Sequence, residues 1–166
     1  VARVLLGLGS NLGNRWTFLN AAVSQLRDLD LRLLVSSVYE TQPVGGPGNQ
    51  RAYLNCVVSL HTELSPVELL RACQDLEQAA HRVRVEHWGP RTLDIDVLYV
   101  EGFSSSDPEL VVPHPRMFER AFVLAPLEEV APEIAGSAWR VRLGTQEGEI
   151  KKVGALLSGV NVVDLS

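Results

Sequence analysis

Two aspartates, Asp94 and Asp96, interrupt the apolar run from Leu93 to Leu98. In an extended strand alternate side chains share a face, so both carboxylates point one way and Ile95 and Val97 the other. Their Cα atoms lie ~6.6 Å apart at ~3.3 Å per residue. Paired catalytic metals sit ~3.5–4 Å apart, a distance such carboxylates can bracket. Without a cation, charges this close raise each other's pKa. Spacing alone fits a metal-binding pair and a solvated strand face equally well. Just upstream, Arg82, Arg84 and Arg91 flank Trp88-Gly89-Pro90. Carboxylates chelate Mg²⁺ and guanidinium groups clamp phosphate oxygens, so together they match the needs of a metal–nucleoside triphosphate. A solvated basic turn is the alternative.

No glycine cradle accompanies these residues. The G-x-x-x-x-G-K-[ST] pattern is absent, and the chain's lysines are Lys151 and Lys152 alone. Gly7-x-Gly9-x-x-x-Gly13 misses the dinucleotide spacing by one residue and reads as a tight strand-to-helix turn. Gln74, Glu77 and His81 recur along one border of a helix, where a solvated face is the plainer reading. Tyr53 and Asn55 point to the non-core side of their strand. The Asn55 amide pairs a donor with an acceptor, which suits a planar heterocycle. Phe122, after Arg120, offers a stacking face or a core side chain.

These residues need elements to hold them. Arg3 to Gly9 reads as a buried strand, short and apolar. Asn14 is a helix N-cap, and Trp16, Leu19, Ala22, Val23 and Leu26 predict a helix over about 15–28. Leu31 to Tyr39 predicts a strand. Residues 43–50, rich in glycine and proline, predict a loop. From Ala52 to His61, Leu54, Cys56, Val58 and Leu60 alternate with Tyr53, Asn55, Val57 and Ser59. Ser65-Pro66-x-Glu68 is a capping box opening a helix to about His81, whose buried arc is Leu69, Ala72, Cys73, Leu76, Ala79 and Ala80. Leu93 to Val100 is a strand, 102–109 a polar turn and Val111 to Pro115 extended. Phe118 to Val130 is helical, interrupted at Pro126. The last thirty residues suggest a hairpin around Trp139 to Leu143 and Glu149 to Lys151. The order β-α-β-β-α-β predicts an α+β, ferredoxin-like sandwich: an antiparallel sheet with helices on one face, plus a C-terminal extension.

Composition bounds the partners. The chain has 166 residues, 46% of them hydrophobic and 21% charged, with a formal net charge of −5. That length fits one globular domain over 1–166, with the motifs in about 3–130 and an extension from about 131. The acidic balance argues against nucleic acid, and no apolar run approaches the ~20 residues of a membrane helix. Val1 to Leu6 reads as too short for a secretory signal. Cys56 and Cys73, neither in a C-x-x-C pair, read as core thiols, and the expected location is cytoplasmic.

The motifs in their order carry a resemblance. Gly9-Ser-Asn-Leu-Gly-Asn-Arg15, Tyr39-Glu-Thr41, Tyr53-Leu-Asn55, Gln74-x-x-Glu77, Arg82-x-Arg84, Trp88-Gly-Pro-Arg-Thr-Leu-Asp-Ile-Asp96, Pro113-His-Pro115 and Arg120-x-Phe122 succeed one another. The chain resembles the 6-hydroxymethyl-7,8-dihydropterin pyrophosphokinase family of folate biosynthesis. The resemblance implies transfer of pyrophosphate from ATP to the pterin hydroxymethyl group, with two Mg²⁺ ions and AMP as a product. It implies Asp94 and Asp96 as metal ligands, and Arg82 and Arg91 as catalytic phosphate contacts. Gln74, Glu77, Arg84, Trp88, His114 and Arg120 would bind ATP. Thr41, Pro43, Val44, Tyr53, Asn55 and Phe122 would form the pterin pocket, with Asn55 reading the ring edge and Phe122 stacking. Loops around 43–51 and 82–91 would close over the substrates. ATP and the reduced pterin are the expected partners of a monomer. His87 stands where many members carry Arg, which removes one permanent charge near the nucleotide.

Overall fold

Valine and leucine alternate with leucine and glycine along the first strand, β1 (Ala2–Ser10), and that alternation divides the molecule into two cores. Val4, Leu6 and Leu8 enter one core, Leu5 enters the other, and Gly7 and Gly9 continue the face of Leu5. The structure, a computed structural model, describes residues 1–42, 51–81, 92–143 and 150–156. Helix α1 (Arg15–Leu26) follows β1, then β2 (Leu34–Val35), β3 (Val38–Thr41), β4 (Tyr53–Thr62), α2 (Pro66–His81) and β5 (Asp94–Val100). A hairpin of β6 (Ser105–Asp107) and β7 (Leu110–Val112) precedes a 3-10 turn at Met117–Glu119. Three further helices, α3 (Ala121–Val130), α4 (Pro132–Ala135) and α5 (Trp139–Arg142), lead to β8 (Ile150–Gly154).

The sheet is antiparallel throughout, in the order β5-β1-β4-β3-β8, with β2 also pairing β4. Its first four strands with α1 and α2 form the predicted ferredoxin-like unit. Both predicted caps are present. Asn14 Oδ1 accepts the Thr17 N–H at 3.1 Å, and Ser65 Oγ accepts the Glu68 N–H at 3.2 Å. Gly13, at φ +70°, makes the left-handed turn into α1 that a side chain would strain. Leu19, Leu26, Leu69 and Cys73 pack α1 and α2 onto Leu6, Leu54, Cys56 and Leu60. Truncating a leucine so buried costs about 2–5 kcal/mol.

The opposite face is covered too, which the sequence reading did not include. Leu124, Leu127 and Val130 of α3 pack with Met117 and Trp139 over Leu5, Tyr39, Val57 and Leu98. Arg3 pins this layer down: its Nε donates to Ser59 Oγ at 3.0 Å and Nη2 to the Val130 carbonyl at 2.7 Å. Its Nη1 also pairs with Glu133.

Several segments differ from expectation for identifiable reasons. The strand predicted over 31–39 is split, because Ser36 Oγ accepts the Val57 N–H at 2.8 Å while the Ser36 N–H donates to the Val57 carbonyl at 2.9 Å. Gly7 and Gly9 lie inside β1, so the tight turn begins only after Ser10. Ala79, placed on the buried arc of α2, is exposed. The polar turn at 102–109 contains most of a hairpin, and Trp139 starts a helical turn whose indole is buried. The C-terminal extension adds β8 to the sheet edge beside β3.

Candidate active site

Strand register builds the site. On the face opposite α1 and α2, Lys152, Tyr39, Asn55, Gly9 and Asp94 stand in one row across five strands. A neighbouring row holds Val57, Gly7 and Asp96, and another holds Ile150, Thr41 and Tyr53. α3 covers Val57 and Tyr39 but leaves the end of the sheet open. The result is a cleft of about 770 Å³. Its floor is Gly7, Gly9, Thr41, Asn55, Asp94 and Asp96, and its wall is the segment around Arg116, Glu119, Arg120 and Phe122.

The glycines are what make the floor low. A Cβ at Gly9 would stand 3.1 Å from Asn55 Oδ1, and one at Gly7 would touch Leu98 at 3.4 Å. Asn55 is buried, and its Nδ2 donates to Thr41 Oγ1 at 3.0 Å. That bond assigns the amide orientation and directs Oδ1 toward Gly9 as an acceptor. Thr41 accepts from Asn55 and keeps its own O–H to donate. At the wall, the Arg120 guanidinium lies 5.5 Å from the centroid of the half-buried Phe122 ring, a cation–π arrangement.

Asp94 and Asp96 both line the cleft, Asp96 the more exposed of the two. Between them the Ile95 N–H projects from the sheet edge and donates to Glu77 Oε2 at 3.0 Å. Helix α2 thus fixes the strand at the point where the two carboxylates emerge. Among the described residues no group of three or more His, Cys, Asp or Glu side chains is arranged to hold a metal ion by itself. Magnesium needs no such cage: it is held by one or two carboxylates together with substrate phosphates and water. The pair, side by side on an accessible strand edge, fits that requirement.

Of the residues singled out in the sequence, the cleft brings together Thr41, Tyr53, Asn55, Asp94, Asp96, Arg120 and Phe122. Gln74 is exposed on α2 and is not among the cleft-lining residues; neither are Glu77 and His114. The His114 N–H donates to the Leu98 carbonyl at 2.8 Å, and its Nδ1 accepts the Arg116 N–H at 3.2 Å. A neutral His114 therefore carries its proton on Nε2. Pro43, Val44, Arg82, Arg84, His87, Trp88 and Arg91 lie outside the described residues. The sequence reading missed Gly7, Gly9, Gln42, Leu98, Arg116, Glu119 and Ile150 in the lining. For the glycines a signal existed: they share the parity of Leu5 along β1.

Cys56 and Cys73 are buried, as expected, and burial pushes each thiol up to about 12. For Cys73 the negative charges of Glu77 and Asp96 add to the effect of burial. No helix among the described residues is long and apolar enough to cross a membrane.

Comparison with known proteins gives a consistent result. Residues 5–132 match the family model described as 7,8-dihydro-6-hydroxymethylpterin-pyrophosphokinase. The chain is 44% identical over 135 residues to the 2-amino-4-hydroxy-6-hydroxymethyldihydropteridine pyrophosphokinase of Bacillus subtilis, covering 80% of each chain. It is 43% identical over 143 residues to the protein of that name from Methylorubrum extorquens, covering 86% of this chain and 90% of that one. Among solved structures, the HPPK-DHPS triple mutant of Plasmodium falciparum with pteroate superposes at a TM-score of 0.68 and 14% identity. That match covers 91% of this chain and spans 46% of the longer one. At such identity it speaks for the fold.

Proposed function

The chain belongs to the 7,8-dihydro-6-hydroxymethylpterin-pyrophosphokinase family, and from that premise we propose that the cleft over Gly9 is where the two substrates meet. The activity is the ATP-dependent pyrophosphorylation of 6-hydroxymethyl-7,8-dihydropterin. The observation that carries the site assignment is the row Asn55, Gly9, Asp94. It sets a heterocycle-reading amide and a cation-binding carboxylate on either side of a bare backbone.

In this reading Asn55 Oδ1 accepts from the amino-pyrimidinone edge of the pterin, and Thr41 donates its hydroxyl to the same edge. Tyr53 borders the ring, and Phe122 stacks on it. Pro43 and Val44 complete the pocket. Asp94 and Asp96 would hold two Mg²⁺ ions, whose chemistry would be to neutralise negative charge on the triphosphate. Arg82 and Arg91 carry the developing negative charge, and Gln74, Glu77, Arg84, Trp88, His114 and Arg120 bind ATP. Placement of the hydroxymethyl oxygen in line with the bond being cut does most of the work in phosphoryl chemistry of this kind. The pairing of β8 with β3 supports one domain over 1–166. We take that domain to act as a cytoplasmic monomer.

The test is product identity. With ATP, Mg²⁺ and the reduced hydroxymethylpterin, the protein yields AMP and the pterin diphosphate in equal amounts. Asp94→Asn and Asp96→Asn each lower turnover by at least about 10²-fold, the scale of a lost electrostatic contact in a transition state. Release of ADP, or full turnover in both variants, rejects the assignment.

A further inference from the structure

Ile150 lies outside residues 5–132, the span that matches the family model. It opens β8 directly opposite Thr41, and it lines the cleft while packing partly against the core around Leu5 and Tyr39. Because Lys152, Tyr39 and Asn55 form the adjacent row on the same face, the side chain of Ile150 stands on the cleft face. We propose that Ile150 is a specificity-determining residue of the pterin subsite, flanking the end of the bicyclic ring farthest from its hydroxymethyl group. The proposal rests on the reading that the ring lies over Thr41 and Asn55.

Position selects the part of the ligand. β8 and β5 are opposite edges of the five-strand path, so Ile150 and Asp94 are about four strand spacings, roughly 19 Å, apart. With the phosphates at Asp94, the group that reaches toward Ile150 is the heterocycle. Chemistry agrees. Thr41, Gln42 and Asn55 supply polar contacts nearby, and Ile150 supplies an apolar surface that cannot hydrogen-bond. Such a surface shapes the pocket around the ring without competing for its polar edge.

The side chain is also held firmly. Its β-branch restricts χ1. Two residues on, Lys152 Nζ lies 3.8 Å from Glu129 and 5.8 Å from the centroid of the Tyr39 ring. Glu129 in turn accepts from the Tyr39 hydroxyl and, at 2.9 Å, from the Ser37 N–H. Strand β8 is thereby fastened to β3 and α3, and Ile150 presents a fixed wall to the pterin.

The test is steady-state kinetics of the full chain with each substrate varied in turn. Ile150→Ala raises the pterin KM about tenfold, the scale for apolar groups removed from a pocket, and leaves the ATP KM unchanged. Ile150→Val restores most of the loss. Lys151→Ala, an exposed residue of opposite parity, changes neither constant. An unchanged pterin KM in Ile150→Ala overturns the proposal, as do parallel changes in both KM values with a lowered Tm. Asn55→Ala separates the two levels. Loss of pterin affinity there with an unaffected Ile150→Ala rejects Ile150 alone, whereas normal affinity in both rejects the pterin site itself.

Discussion

The backbone of Gly9 approaches Asn55 so closely that a Cβ at Gly9 would stand 3.1 Å from Oδ1 of the buried carboxamide. Gly9 is not among the residues of positive φ, so its backbone accepts alanine and the conflict is confined to the cleft. Gly9→Ala therefore raises the pterin KM about tenfold by displacing Asn55, while the thermal midpoint stays within a few degrees. Kinetics and a melting curve on one preparation check both parts. An unaltered pterin KM removes Gly9 from the pocket.

Thr41 and Asn55 act as a unit. Thr41→Val removes the acceptor of Asn55 Nδ2 and leaves a buried donor unpaired, at a cost of about 1–3 kcal/mol. The expected outcome is a lower Tm together with weaker pterin binding. Thr41→Ser, which keeps the hydroxyl, retains both. Equal behaviour of the valine and serine variants contradicts the hydrogen-bond account.

Asn55 was legible from the sequence for a local reason, whereas Thr41, beyond the predicted strand end at Tyr39, entered only through the family resemblance. Alternation from Ala52 to His61 fixes which side chains of β4 face the helices, and β5 obeys the same rule at Asp94 and Asp96. Ser65-Pro66-x-Glu68 announces its own helix through one cap bond. What escaped notice depends on contacts between distant parts of the chain. Ile150 acquires its place only when β8 pairs with β3, more than a hundred residues earlier. Trp139, expected in a hairpin, begins the helical turn α5, and neither it nor Leu124 of the predicted helix had a packing partner until α3 and α5 settled on the second face. The irregular register between Leu5 and Leu6, which lets Leu98 and Tyr99 both turn toward that face, has no sequence signature.

Glu77, half-buried on α2, has a positioning role that its place on the border of the helix does not suggest. Through the Ile95 N–H it holds β5 between the two aspartates. Glu77→Ala therefore raises the Mg²⁺ concentration needed for half-maximal rate, and Glu77→Gln, which still offers an acceptor, recovers much of it. A metal titration of the three proteins decides this. Identical curves mean that the hydrogen bond does not steer the carboxylates.

The buried thiols make stability depend on alkaline pH. Cys56 and Cys73 are pushed from the ordinary 9.0 up to about 12, foremost by burial. Above pH 9 the unfolded chain releases these protons while the folded chain keeps them, so stability falls as pH rises. Burial and the neighbouring Glu129 raise Tyr39 as well, which extends the decline at higher pH. Their contribution is complete below about pH 8 and lost progressively from pH 9 upward. Urea midpoints measured from pH 7 to 10.5 should therefore decrease, and less so in Cys56→Val. At pH 8 neither thiol reacts with iodoacetamide until the protein unfolds.

The central claim is that Asp94 and Asp96 carry the divalent cations that neutralise the triphosphate. The most direct measurement is an anomalous difference map from a crystal of the complex with Mn²⁺, a non-hydrolysable ATP analogue and the pterin. Our account predicts metal peaks within about 2.0–2.3 Å of oxygens from both carboxylates, bridged to phosphate. Metal peaks on the triphosphate with both aspartates turned away into solvent would contradict it.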